Sequence, residues 1–391
     1  MKEENKSFSF TGNGGEYFKI WIVNILLTII TLGIYSAWAT VRNKRYIYGN
    51  TWFDDSNFEY HASAKQILLG RLIAIAMLLF YFALSAIQPG SELAFLLLLF
   101  LVMPWLMLRS LQFNARMSSY RNVRFSFQAS ILDAYKYFLL IPILPFLIAA
   151  PIIGVALYLD AISAKLISAL ILLSITAIFF MMPYIAMLIN RFSFNNHYYG
   201  QGKFSAQLNA GEYYKAYLKT IGLSILSYLG FTIVMLLVVA AIMLLGGGIN
   251  LQGDMKLSQN DMLVYMIPSM TISYLFMILI AAYLKAYLTV KLRNYNINQI
   301  HLDDVLHLSS TMDTTSLFKL YLVNFLLMIF TLGLAAPWVA VRQMNYTFTR
   351  THAQVNGDLN QYITQQLSNR TSIGDEVGDA FDMQGALEIG I

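Results

Sequence analysis

Residues 72–91, 93–108, 137–159, 166–190 and 220–253 contain no Asp, Glu, Lys or Arg. A bilayer's hydrocarbon core takes about 20 consecutive apolar residues per helix, so runs of this kind commit the chain to a membrane. The whole composition agrees: 58% of the 391 residues are hydrophobic and 12% charged, with a mean hydropathy of +0.57. Soluble domains hold roughly 45–50% apolar and about 25% charged residues. A disordered chain, a disulfide scaffold and a soluble nucleic-acid binder are excluded. The formal charge of +5 fits retained basic residues in cytoplasmic loops and does not imply a nucleic-acid partner. There is no Cys, which removes thiolate metal sites and cysteine nucleophiles.

Eight apolar segments are expected, at about 18–40, 71–88, 93–108, 137–159, 166–189, 220–245, 262–284 and 318–340. The start, Met1-Lys2-Glu3-Glu4-Asn5-Lys6, mixes signs instead of forming a basic leader, so no cleavable signal is expected.

The chain repeats itself. Residues 17–46 align with 317–346 without gaps, and fourteen of the thirty positions are identical. Among them are Asn24/Asn324, Gly33/Gly333, Trp38/Trp338 and Arg42/Arg342, which shared hydrophobicity cannot explain. A second repeat matches 103–139 with 182–218, from Met103-Pro104-Trp105 and Met182-Pro183-Tyr184 through Phe125/Phe204 to Lys136/Lys215. Its polar half also matches the N-terminal stretch, through Phe8-Ser9, Asn13 and Gly15-Glu16-Tyr17. The repeated unit reads as an aromatic and polar loop, an aromatic-Lys entry, an apolar helix, then a Pro/Trp-to-Arg exit.

Counting Lys and Arg sets the topology. If all eight segments span, 18 basic residues fall on one side and 8 on the other. If the first and last dip in and return, the split becomes 24 against 2, which the positive-inside rule favours. Thr31-Leu32-Gly33 and Thr331-Leu332-Gly333 lie past the middle of those segments, where Gly permits a break.

Particular residues carry a family resemblance. Tyr17-Phe18-Lys19-Ile20-Trp21-Ile22-Val23-Asn24, Thr31-Leu32-Gly33-Ile34-Tyr35-Ser36-Ala37-Trp38-Ala39, Tyr48-Gly49-Asn50-Thr51 and Phe58-Glu59-Tyr60-His61 resemble the YjgN family of bacterial inner-membrane proteins, as do Gln66-Ile67-Leu68 and Gly70-Arg71. The resemblance covers about residues 8–365. It implies an inner-membrane location and a domain of unknown function, and supplies no substrate or site residue.

Candidate chemistry is sparse. His301-Leu302-Asp303-Asp304-Val305-Leu306-His307 gathers possible metal ligands, but on a helix they fall on two faces, so a solvated loop without metal is expected. All 21 Asp and Glu residues lie in loops, segment ends or tails, which disfavours an ion-coupled carrier. Gly246-Gly247-Gly248 is not followed by Lys-Ser/Thr and reads as an outer turn, not a phosphate loop. Asn24 and Asn324 are a repeat-equivalent intramembrane pair, either helix-helix glue or the lining of a polar passage. The basic and aromatic stretches suit the headgroup layer, with Arg109, Arg124, Arg191 and Lys203 as candidate contacts to anionic headgroups.

The sequence therefore predicts an all-α polytopic helical membrane bundle with internal repeats and six to eight membrane segments. Residues 1–365 are expected to form one polytopic domain and 366–391 an acidic flexible tail. The expected function is uncoupled transport or binding of a small or amphipathic, lipid-like molecule. The alternative is a noncatalytic scaffold or regulator acting through cytoplasmic loops. No enzyme activity, cofactor, metal or nucleic acid is expected. The expected partners are membrane lipids and a small amphipathic ligand, and no protein partner is indicated. The termini are expected in the cytoplasm.

Overall fold

The computed structural model describes residues 3–88, 90–158, 164–245 and 259–371. The turn expected at Gly246-Gly247-Gly248 and the tail beyond residue 371 lie outside them. In chain order the chain alternates helical pairs with short strands. β1 (Glu3–Ser7) and β2 (Ser9–Phe10) lead into α1 (Gly14–Ile30) and α2 (Ser36–Gly49). β3 (Thr51–Phe53) and β4 (Ser56–Tyr60) precede α3 (Ala64–Ile87) and α4 (Ser91–Arg116). β5 (Ser118–Tyr120) and β6 (Val123–Phe127) lead to α5 (Ile131–Tyr135), a π-helical turn (Lys136–Leu140), α6 (Ile141–Tyr158) and α7 (Ala164–Asn195). β7 (His197–Tyr199) and β8 (Gly202–Ala206) precede α8 (Ala210–Leu245) and α9 (Gln259–Ile297). β9 (Ile300–Leu302) and β10 (Leu306–Ser310) precede α10 (Thr314–Phe330) and α11 (Ala336–Phe348), and β11 (Thr351–Asn356) and α12 (Leu359–Thr371) follow.

The strands overturn the all-α expectation. All eleven form one antiparallel sheet in the order β1-β11-β10-β9-β8-β7-β6-β5-β4-β3-β2. Its two ends are joined by Phe8 alone, so the sheet is a ring. Part of the aromatic and basic alternation expected in loops lies in strands, with one residue facing in and the next out. Hairpins of three and five residues are marginal alone, and a ring leaves them without open edges.

Each hairpin has the same plan. Two-residue turns place Asp54, Asp55, Arg121 and Asn122 at positive φ, and the three-residue turn between β9 and β10 does the same for Asp303. The middle residues of the long strands line the interior as Phe8, Phe58, Phe125 and Phe204. Successive rings lie 6.3, 6.4 and 6.4 Å apart, and Leu308 holds the equivalent place in β10. Tyr120 donates its hydroxyl to the Phe53 carbonyl at 2.6 Å, and Tyr199 to the Tyr120 carbonyl at 3.0 Å. Burial raises the Tyr120 hydroxyl to a pKa of about 12. Three residues after a long strand ends comes a helix cap. Asn13, Ser63, Ser130 and Asp313 each accept from the first helical turn, and Asn209 stands at the same spacing before α8.

α12 covers the interior at the hairpin turns. Leu359, Tyr362 and Ile363 join the core of Val123, Tyr199 and Val355. Tyr362 donates to Asp303 at 2.7 Å, Gln366 accepts from the Gln201 amide at 2.8 Å, and Arg121 reaches Asn360 at 2.7 Å. The approach is close enough that a Cβ on Gly202 would stand 1.8 Å from the Tyr362 hydroxyl. The helix crosses the position where the acidic tail was expected to begin.

The chain divides into two compact units. The first runs to Ala210 and includes Asn296–Thr311 and the residues from Leu334 onward, so it holds the whole ring. The second comprises Gly211–Tyr295 and Met312–Gly333, with α10 against α9 through Tyr283 and Phe318 at 5.6 Å. Six stretches among the described residues are long and apolar enough to cross a membrane, in α3, α4, the α5–α6 run, α7, α8 and α9. α1 and α10 have 17 residues each, about 25 Å of helix, and neither is among the six. α1 ends in a tight turn at Leu32 (φ 49°) and Gly33 (φ 94°), and α2 returns to the neighbouring strand, since β2 pairs with β3. Leu332 and Gly333 repeat that turn at φ 49° and 88°, and the chain leaves the sheet at Ser310 to re-enter at its register partner Thr351.

Ring closure makes a direct prediction. In this cysteine-free chain, Asn5→Cys with Gln354→Cys, which are register partners, should form an intramolecular disulfide under mild oxidation. Asn5→Cys with Ser126→Cys should not, as read by gel mobility.

Candidate functional site

The polar groups of the first helical pair are held to one another. The Asn24 amide donates to Asn43 Oδ1 at 3.0 Å, and its carbonyl oxygen accepts from the Arg42 guanidinium at 3.3 Å. Arg42 also donates to the Tyr35 hydroxyl at 3.1 Å. On α3, Arg71 bonds Ser36 and reaches Thr40 Oγ1 at 2.8 Å. Asn24 is 3% exposed. Its partners come from α2 because the turn at Leu32-Gly33 folds that helix back along α1. Arg42 stood out in the sequence only as a repeat match and Arg71 only as a motif residue, and Asn43 carried no signal; none was a candidate site residue.

Asn324 lies in the second unit and is 6% exposed. Its side-chain oxygen has no hydrogen-bond partner among the described residues. An unpaired buried amide oxygen in a membrane protein is costly unless something polar comes to it.

The four basic candidates lie at separate positions. Arg109 on α4 donates to Gln112 at 3.3 Å and stands 5.7 Å over the Trp105 ring. Arg191 is exposed on α7. Arg124 and Lys203 project from β6 and β8 at positions adjoining the inward Phe125 and Phe204, so they face outward. Lys203 lies 6.0 Å over Tyr198. No hydrogen bond or ring contact joins any two of the four among the described residues.

The His301–His307 stretch is a β-hairpin rather than a solvated loop. The two histidines are register partners whose rings stack at 4.3 Å and 6°. No group of three or more potential metal ligands forms among the described residues. Burial, then the neighbouring His307, lowers the His301 pKa, with Asp304 opposing. The neutral imidazole is therefore the form that folding favours. That contribution is complete above the ordinary histidine pKa of about 6.5 and shrinks as pH falls through it.

The second unit holds a cleft of about 720 Å³ between α8 and α9. Its walls are Ile225, Leu229, Met235, Met277 and Ile280, with Phe231 stacked on Phe276 at 4.1 Å. Ser224, Tyr228, Thr232 and Ser273 add hydroxyls. Ser224 and Thr232 donate to backbone carbonyls at 2.7 and 2.9 Å, leaving their oxygen lone pairs as acceptors. The volume lies within the usual 300–1,000 Å³ range of small-molecule sites. Sequence reading passed over these residues because hydroxyls within apolar helices carry no charge and no motif.

Six helices long and apolar enough to cross a membrane, with an apolar cleft between two of them and a ring-shaped sheet in the chain, define a multi-pass membrane protein. The chain belongs to a family described as bacterial protein of unknown function (DUF898), which matches residues 5–380. It is similar to the inner membrane protein YjgN of Salmonella typhimurium strain LT2, with 29% identity over 374 residues, 91% of this chain and 89% of that one. The YjgN of Escherichia coli O157:H7 is 27% identical over 318 residues, 78% and 77% of the two chains. That of Escherichia coli K12 is 36% identical over 148 residues, 37% and 36%. No solved structure matches the chain.

Two outcomes are expected. Asn24→Leu leaves Asn43 and Arg42 without their partner and should destabilise the detergent-solubilised protein by about 1–3 kcal/mol, read as a lower Tm. Acidification from about pH 7.5 to about 5.5 should lower Tm less in His301→Gln than in the parent.

Proposed function

We propose that this protein binds an amphipathic, lipid-like molecule of the inner membrane, and moves it without ion coupling, through the α8–α9 cleft. The carrying observation is the cleft itself: an apolar volume of about 720 Å³ edged by four hydroxyl-bearing residues, on helices long and apolar enough to lie in the bilayer. An acyl chain fits the aliphatic and phenyl walls. The serine and threonine oxygens suit a hydroxyl or amine donor at its polar end. No cleft residue is ionisable near neutral pH, which supports binding without proton or ion coupling.

In this reading the ring lies in the cytoplasm with both ends of the described chain. The distribution of Lys and Arg supports that orientation, since only Lys165 and Lys256 fall on the other side. α1–α2 and α10–α11 enter the bilayer from the ring side and return. Leu32 and Leu332, each 94% exposed, form apolar tips suited to hydrocarbon. The protein is read as noncatalytic.

The test is photocrosslinking in nanodiscs with a phospholipid carrying a diazirine in its acyl chain. Label should concentrate on α8 and α9. Thr232→Trp, which fills the cleft, should reduce that label about tenfold, a change of about 1.4 kcal/mol. Leu79→Trp, on an exposed face of α3, should leave it unchanged. Even labelling of all apolar helices, indifferent to Thr232→Trp, would overturn the reading in favour of a noncatalytic scaffold or regulator.

A further inference from the structure

A second pocket lies in the other unit, where the ring meets the helices. It has a volume of about 430 Å³ and is lined by Arg45 and Gly49 of α2, Asn57, Phe58, Glu59 and Tyr60 of β4, and His61. β4 ends at Tyr60, and α3, a membrane-capable helix, is capped at Ser63. The pocket therefore lies within three residues of a membrane-capable helix.

Its charges are paired in sign but not with each other. The Arg45 guanidinium donates to the Ala62 carbonyl at 3.3 Å and makes no ion pair among the described residues. The Glu59 carboxylate, 48% exposed, accepts from the Ser119 hydroxyl at 3.4 Å and lies 3.5 Å from His61 Nε2. His61 Nε2 also lies 2.7 Å from Ser119 Oγ. Ser119 is 1% exposed, and it and Glu59 both approach the same imidazole nitrogen, Nε2, instead of one lying at each nitrogen. That geometry is wrong for a nucleophile and its base. It is right for holding Glu59 and His61 in place. The Asn57 amide, bonded to the Gly49 carbonyl at 3.3 Å, fixes the floor.

A pocket offering a guanidinium fork, an imidazole and a carboxylate suits a ligand with an anionic phosphate and a primary ammonium. We propose that it binds a phosphoethanolamine group, with phosphate on Arg45 and His61 and ammonium on Glu59. A carboxylate there would repel a purely anionic phosphate group, and a quaternary ammonium could not donate a hydrogen bond to it. The chemistry is shared by the lipid phosphatidylethanolamine and by free phosphoethanolamine. The site involves none of the α8–α9 residues, so either assignment can fail alone.

The full chain, purified in mild detergent and delipidated, would be titrated with phosphatidylethanolamine, phosphatidylglycerol and phosphatidylcholine and read by native mass spectrometry. The parent should prefer phosphatidylethanolamine. Glu59→Gln should weaken that lipid about tenfold while leaving phosphatidylglycerol unchanged or tighter. Arg45→Gln should weaken both, and Arg45→Lys should recover part of the loss with a Tm like the parent's. Thr232→Trp should leave this selectivity intact. Competition by millimolar phosphoethanolamine would point to the soluble group, and its failure to compete would point to the lipid. Equal response of both lipids to Glu59→Gln, or no response to any Arg45 or Glu59 variant, would overturn the proposal.

Discussion

The pairing of β11 with β1 is the contact on which the rest of the structure depends. It joins residues as far apart as Ser7 and His352, whose side chains bond at 2.8 Å. Without it the sheet would have two open edges, and its three- and five-residue strands would be too short to persist. With it, every helical pair begins and ends on a fixed rim. Neighbouring strands pair wherever the chain departs into helices and returns.

The two compact units divide the chemistry as well as the chain. The first carries the ring, the interlocked polar groups of α1–α2 and the charged pocket beside β4. The second carries long helices whose middle stretches are uncharged, and an apolar cleft. One environment lacks groups ionisable near neutral pH, and the other holds a fixed cation and anion.

Much of the membrane character was legible in the residues, and the ring was not. Six of the eight expected apolar segments fall on the six long helices, and the match of 17–46 with 317–346 anticipated two tight turns with matching φ at Leu32 and Leu332. The Phe125/Phe204 match marked real equivalence, but it was read as a loop because five residues of aromatic and basic alternation satisfy both an interfacial anchor and a short strand. Only long-range pairing tells them apart. His301 and His307 looked misaligned for the same reason: helical spacing separates them, while a hairpin places them face to face. Asn24 was recognisable as polar, yet its partner Asn43 becomes a neighbour only after the chain reverses. α12 was hidden because its inward residues are spread among Asn, Gln and Thr, and their value comes from a mouth they must fit.

The closing strand has a consequence for how the protein is made. On the ribosome, β1 is complete before its partner β11 exists. At roughly 5–20 residues per second, the sequence separation of 345 from Ser7 to His352 takes roughly 20 to 70 seconds to synthesise. All six long helices are synthesised, and can enter the bilayer, within that interval. The waiting strand carries Glu4 and Lys6, charges that discourage pairing with a neighbouring nascent chain. Synthesis thus imposes an order, membrane insertion first and ring closure after it, and makes the arrival of β11 the step at which the ring becomes one piece.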